Sequence, residues 1–231
     1  MKRFYTSVTV DDAGGSHTVL LDGKAVRTPL GARQSVPTSS LAEALAAEWR
    51  DQSEAIDLRK FRMRDHADYA IDIVQTDRAG QIDKLLAFLE TDTLCYRADP
   101  DEALFARQEA MWEPILTAFE LREDVRQTRI SGVMHRPQPP RTLDRIGQRL
   151  ARLDSFRLAG LFTLTSLASS LTVGLSALDP DADDDALWAA TNLEEDWQIE
   201  QWGVDADAAA VRDIRHRDFN DAAAFLRLLE P

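Results

Sequence analysis

His17-Thr-Val-Leu-Leu-Asp-Gly-Lys-Ala-Val-Arg-Thr28 reads as two β-prone runs hinged on Asp22-Gly23. Both central positions of a type I′ hairpin turn need positive φ, which Asp-Gly tolerates. Upstream, Phe4, Val8 and Val10 share one parity of a strand. Downstream, Gly31 opens another turn, and Gln34-Ser-Val36 suits a short strand before Pro37. The first 36 residues therefore read as β. At Ser40 the period changes. Ser40-x-x-Glu43 is a capping box, and Leu41, Leu45, Glu48 and Trp49 follow at helical spacing, predicting a helix over 40–52. Trp49 shares the Leu41 and Leu45 stripe, so a core role is expected for it.

Helical spacing then dominates. Ala67, Ala70, Ile71 and Val74 mark a helix over 66–77, and Ile82, Leu85, Leu86 and Leu89 mark one over 79–95. Asp99-Pro100 looks like an N-cap and first helical residue, ahead of Leu104, Met111, Trp112, Ile115 and Phe119. Pro114 should kink that helix. Val125 to Val133 has room for a short strand, followed by a proline-rich loop and a helix carrying Leu143, Ile146, Leu150 and Leu153. Leu158 to Leu178 is 21 residues without a charge, long enough to span a bilayer. Seven of these are Ser or Thr, so a packed core helix is the better reading. Helices over 185–202, after an Asp205 cap, and over 219–229 complete the chain. The expected class is α+β: a β-rich N-terminal domain in residues 1–40, with an outer limit near residue 65, and a helical C-terminal domain over 66–231.

The chain has 231 residues, 40 acids and 27 bases, a net charge of −13. That balance argues against nucleic acid and anionic membranes as partners. One cysteine, Cys95, excludes an internal disulfide, and the four dispersed histidines form no metal-ligand spacing. No metal and no cofactor is expected. The charge is uneven: residues 158–211 hold 11 acids and no Lys or Arg. Such a segment could face a basic partner or could simply be a solvated face. No targeting segment is visible at the start, so a cytoplasmic protein is expected, or an organelle protein whose presequence is absent here. A monomer is expected.

On one continuous helix over 185–202, at about 100° per residue, Leu187, Thr191, Glu194, Gln198 and Trp202 share a face. Glu194 and Gln198 then occupy a stripe that should be apolar, with Asp196 and Glu200 toward water. A carboxylate there must find a partner, shift its pKa or meet a ligand. An internal ion pair with an Arg and a functional acid both fit. Nothing ties a second carboxylate or a histidine to it, so no catalytic residue is assigned. A small acid/base hydrolase using Glu194 is the alternative function. Cys95 reads as a buried small hydrophobe, Asp65-His66 with Asp68 as a surface helix start, and Gly14-Gly15 as a plain turn.

Several blocks resemble a known family: Lys2-Arg-Phe-Tyr5, Leu21-Asp-Gly-Lys-Ala-Val-Arg-Thr-Pro29, Val36-Pro-Thr38, Leu41-Ala, Ala47-Glu-Trp49 with Gln52, and Ala70-Ile-Asp72. Glu90-Thr-Asp-Thr-Leu-Cys-Tyr-Arg97, Arg107-Gln108, Trp112-Glu-Pro114, Glu194, Gln198 and Trp202-Gly203 continue the series. Together they resemble the assembly chaperone of the ATP synthase catalytic head that handles the α subunit, found in mitochondria and α-proteobacteria. The resemblance implies a β-rich N-terminal domain, a helical C-terminal domain and a non-enzymatic role. It implies binding of the free α subunit, which is kept from aggregating before it meets β. The family's functional acid falls on Glu194, with Glu195 beside it leaving the register open, and Gln198 and Trp202 belong to the same pattern. It implies a folding role for Trp49 and a mitochondrial matrix location for organelle members.

Overall fold

The computed structural model describes residues 1–132 and 134–230, and its contacts divide the chain into two units. One comprises Met1–Arg78, Asp154–Gly160 and Ala224–Pro231; the other comprises Ala79–Leu153 and Leu161–Ala223. A small sheet precedes a larger helical part, an α+β architecture.

In the first unit, strands β1 (Val8–Asp12), β2 (His17–Leu21) and β3 (Lys24–Ala25) form an antiparallel meander, and β4 (Ser35–Val36) pairs with β2. The register runs Val8 opposite Leu21 and Leu21 opposite Lys24. Asp22 (φ 47°) and Gly23 (φ 78°) both lie left-handed, as the hairpin reading requires. The Asp22 carboxylate also accepts hydrogen bonds from the Thr6 and Ser7 N–H groups. Those bonds, Ser7 first, hold its carboxyl down at about 2. They also break the strand parity expected for Phe4, Val8 and Val10. Residues 6 and 7 are bonded to a side chain, β1 starts at Val8, Phe4 is exposed and Tyr5 is the buried aromatic.

Helix α1 (Ser39–Arg50) packs on β1 and β2. Its N-cap is Thr38, whose Oγ1 accepts from Leu41 N at 3.2 Å. The expected Ser40–Glu43 box lies inside the helix, because Thr38 already occupies the cap. Trp49 is 5% exposed and sits between Tyr5 and Phe61, with the Arg64 guanidinium over its ring. Glu48, beside it, accepts from the N–H groups of Met63 (2.6 Å) and Arg64 (3.0 Å) in the first turn of α2 (Arg62–Tyr69). Burial nevertheless pushes its carboxyl up to about 7. Helix α2 continues into a π turn, Ala70–Val74. Asp68 accepts from Gln34 Nε2 and pairs with Arg64, while Asp72 accepts from Thr28 Oγ1 and Leu30 N. Asp68 is buried, a correction to its reading as part of a surface helix start. These two carboxylates fasten the loop after β3 to the helix.

The second unit contains most of the helical structure. α3 (Arg78–Glu90) ends before a 3-10 turn, Thr93–Cys95, and β5 (Tyr96–Arg97). The helix expected from Asp99 instead begins at Ala103, because residues 99–102 close a turn with Glu102 N donating to Asp99 O. This helix, α4 (Ala103–Glu123), runs continuously through Pro114 and buries Trp112, Leu116 and Phe119. β6 (Ile130–Ser131) pairs in parallel with β5, so strand structure is not confined to the first 40 residues. The expected strand region ends at Val133, which lies outside the described residues. α5 (Pro140–Leu150) follows.

The charge-free segment 158–178 is two helices, α6 (Ser155–Ala168) and α7 (Leu171–Ser176). Ser169 adopts φ 49°, and Ser170 Oγ caps α7 by accepting from Val173 N. A Cβ at Gly174 would fall on Thr165 Oγ1, well inside van der Waals contact, so glycine lets the two helices close together. Among the described residues no helix is long and apolar enough to cross a membrane. α8 (Asp184–Thr191), α9 (Leu193–Trp202) and α10 (Ala206–Arg227) complete the chain. Asp205 caps α10, accepting from Asp207 and Ala208 N–H.

Two stability measurements test this packing. Trp49→Arg places a second cation beside Arg64 in a closed aromatic site and should cost about 3 kcal/mol or more. Its melting curve should fall sharply; an unchanged curve would make Trp49 a surface contact residue. Gly174→Ala should cost about 1–3 kcal/mol from overpacking. Because Thr165 Oγ1 has no hydrogen-bond partner among the described residues, Gly174→Ala combined with Thr165→Ala should recover most of that loss.

Candidate functional site

Glu194 does not lie on a buried stripe. Asn192 interrupts the expected helix, its Nδ2 donating back to Trp188 O at 2.8 Å, and α9 starts anew at Leu193. The break resets the register. Leu193 is the buried residue of α9, while Glu194 and Gln198 face solvent and Trp202 is 79% exposed. A pattern extended through Asn192 therefore assigned the wrong face. Asp196 and Glu200, expected to be free in water, are instead ion-paired: Asp196 with Arg212, and Glu200 with Arg107 at 2.9 Å. Glu195 is half-buried, in the field of Arg212.

Glu194 is held by an amide. Gln108 Nε2 donates to Glu194 Oε1 at 2.7 Å, and Gln108 Oε1 accepts from Ala98 N at 2.7 Å. Gln108 is fully buried, and its carbonyl accepts from the guanidinium of Arg97. Arg97 is itself buried over Trp112 and pairs with Glu109 and Glu113. Trp112 Nε1 donates to Ala190 O, joining α4 to α8. The exposed acid thus rests on a rigid, hydrogen-bonded base. Sequence reasoning gave Gln108 no role of its own in the site. The available signal was a polar residue four positions before Trp112, inward on the same stripe.

Between α4 and α9 lies a groove of about 400 Å3, lined by Arg107, Ala110, Met111, Leu193, Asp196 and Glu200. Arg107 covers the ring of Trp197 at 5.2 Å. Gly203 (φ 89°) ends α9, leaving Trp202 and Val204 exposed at the turn, with Val211 and Ile214 exposed on α10. Cys95 is buried, and burial pushes its thiol up, as for an inert core thiol. Among the described residues no group of three His, Cys, Asp or Glu could hold a metal ion. The structure places Asp22 and Gly23 in the hairpin and Trp49 in the core, all within the first unit. Glu194, Glu195, Gln198 and Trp202 sit together on α9.

Residues 2–120 match the family described as ATP12 chaperone protein. The chain belongs to the ATP12 chaperone family. This is the ATP synthase assembly chaperone family whose motifs the sequence carries. The mitochondrial protein atp12 of Schizosaccharomyces pombe is 27% identical over 99% of this chain and 81% of its own length. The crystal structure of Atp12 from Paracoccus denitrificans superposes with a TM-score of 0.94 at 32% identity, covering 99% of this chain and 98% of that one. The Atu1473 protein of Agrobacterium tumefaciens matches with a TM-score of 0.94 at 36% identity, over 99% and 86% of the two chains. Several ATP12 motif residues have structural tasks here: Asp22 sets the hairpin, Thr38 caps α1, Asp72 fastens the loop after β3, and Gln108 supports Glu194.

Because Glu194 is exposed and accepts a single described hydrogen bond, Glu194→Gln should leave the thermal midpoint nearly unchanged, within about 0.5 kcal/mol in stability. A drop of several degrees would assign Glu194 a structural role.

Proposed function

We propose that this ATP12-family chaperone binds the free α subunit of the ATP synthase catalytic head and keeps it from aggregating before α/β assembly, acting as a monomer and without turnover. The bacterial cytoplasm is the compartment this reading assigns. The observation that carries the reading is the face of α9: Glu194, Gln198 and a 79%-exposed Trp202 on a helix braced by buried Gln108. Exposed aromatics on rigid elements are typical anchors of protein interfaces. The surrounding residues 158–211, with 11 acids and no base, supply a field suited to a basic client surface. A hydrolase using Glu194 gains no support from its surroundings, since the side chain bonded to it is an amide.

Light scattering from purified α subunit tests this. Glu194→Gln should weaken protection at unchanged melting temperature, Glu194→Lys should weaken it further, and Trp202→Ala should do the same by removing apolar contact. Full protection by all three would overturn the assignment of α9.

A further inference from the structure

The first unit contains an apolar concavity of about 520 Å3. Tyr5, Leu21, Val26, Trp49 and Ile56 are buried in its wall, whereas Phe4 and Leu58 on the rim are 63% and 68% exposed. Its size falls in the range of ligand pockets. Its charged lining is mostly cationic. Three of its four charged lining residues are cations, Lys24, Arg27 and Arg64, in a protein of net charge −13. The fourth, Asp22, has its carboxylate occupied by the backbone of Thr6 and Ser7. Arg64 is committed to Asp68 and the Trp49 ring, and Arg27 donates to Gly31 O, which leaves Lys24 exposed at the mouth. In the wall, Trp49 Nε1 is buried with no hydrogen-bond partner among the described residues. Buried donors are rarely left so.

We propose that this groove holds a short extended segment of a client protein, apolar in sequence and carrying one carboxylate. Apolar side chains fill the groove between Phe4 and Leu58, and the carboxylate meets Lys24 and Arg27 at the rim. Exposed apolar patches on soluble chains mark such contacts, and the cationic rim selects the sign of the occupant. The inference rests on the reading of the chain as a chaperone of a protein client, and is independent of α9 and of the identity of that client.

The probe is a fluorescein-labelled apolar heptapeptide with one central aspartate, compared by anisotropy with the same peptide bearing lysine, both added to the full chain. The aspartate peptide should saturate and bind about tenfold or more tightly relative to the lysine peptide. Lys24→Glu, alone and with Arg27→Glu, should erase or reverse that preference at an unchanged melting temperature. Phe4→Ala should weaken both peptides, and Glu194→Lys should weaken neither. Equal binding of the two peptides, no saturation, or an intact preference after charge reversal would overturn the proposal. So would loss of peptide binding in Glu194→Lys. A concentration-dependent dimer that Phe4→Ala dissolves, in the absence of peptide binding, would assign the groove to a second copy and likewise overturn it. Failure of the α-subunit reading shows separately, in light scattering with the α9 variants, and leaves the peptide result standing.

Discussion

Asp92 is a carboxylate with no exposure to solvent, and the helical unit is organised around keeping it supplied with donors. Leu94 N, Ser170 Oγ and Thr172 N all point at it, and burial pushes its carboxyl up even so. A buried acid of this kind is costly unless its oxygens are satisfied. Satisfying them fixes the 3-10 turn after α3 against the turn between α6 and α7. Thr93 reinforces the same junction, its N–H and hydroxyl both donating to Ser169 O. From there the chain runs directly into Cys95, Arg97 and Ala98. The position of Gln108, and with it that of Glu194, is therefore set a few residues downstream of this junction.

What the sequence revealed and what it hid divide along a physical line. The hairpin was legible because Asp22-Gly23 states its own backbone requirement locally, and the switch to helix near Ser40 was legible as a change of period. The α+β class followed from such features, whereas the family was legible only as a resemblance of whole blocks such as Leu21–Pro29 and Glu90–Arg97. The breaks at Ser169 and Asn192 were not legible. Neither carries proline or glycine: at the first Ser170 is bonded to Asp92, and at the second Asn192 Nδ2 turns back to Trp188 O while Trp112 takes Ala190 O. Hydrophobic spacing carried across such a break assigns the wrong face to everything beyond it. That is why Glu194 read as buried in sequence and stands exposed in the structure. Phe4 left the parity it was expected to share with Val8 and Val10 for a related reason, since a side-chain carboxylate interrupted the strand pairing just ahead of β1.

The charge distribution takes on meaning once the units are drawn. Residues 1–78 carry 11 bases and 12 acids, close to neutral, whereas the acid-rich run extends from the loop before α8 through α9 to the start of α10. Two surfaces of different electrostatic character therefore belong to two separately packed bodies. A protein that receives a single kind of ligand on one surface has little need of such a division.

Gln108 gives the protein an internal reporter. One amide side chain bridges a backbone N–H at Ala98 and a carboxylate at the surface, so anything that takes Glu194 away from Gln108 leaves that bridge held at one end only. Amide proton exchange at Ala98 would then register occupancy of an outer face that Ala98 itself never touches.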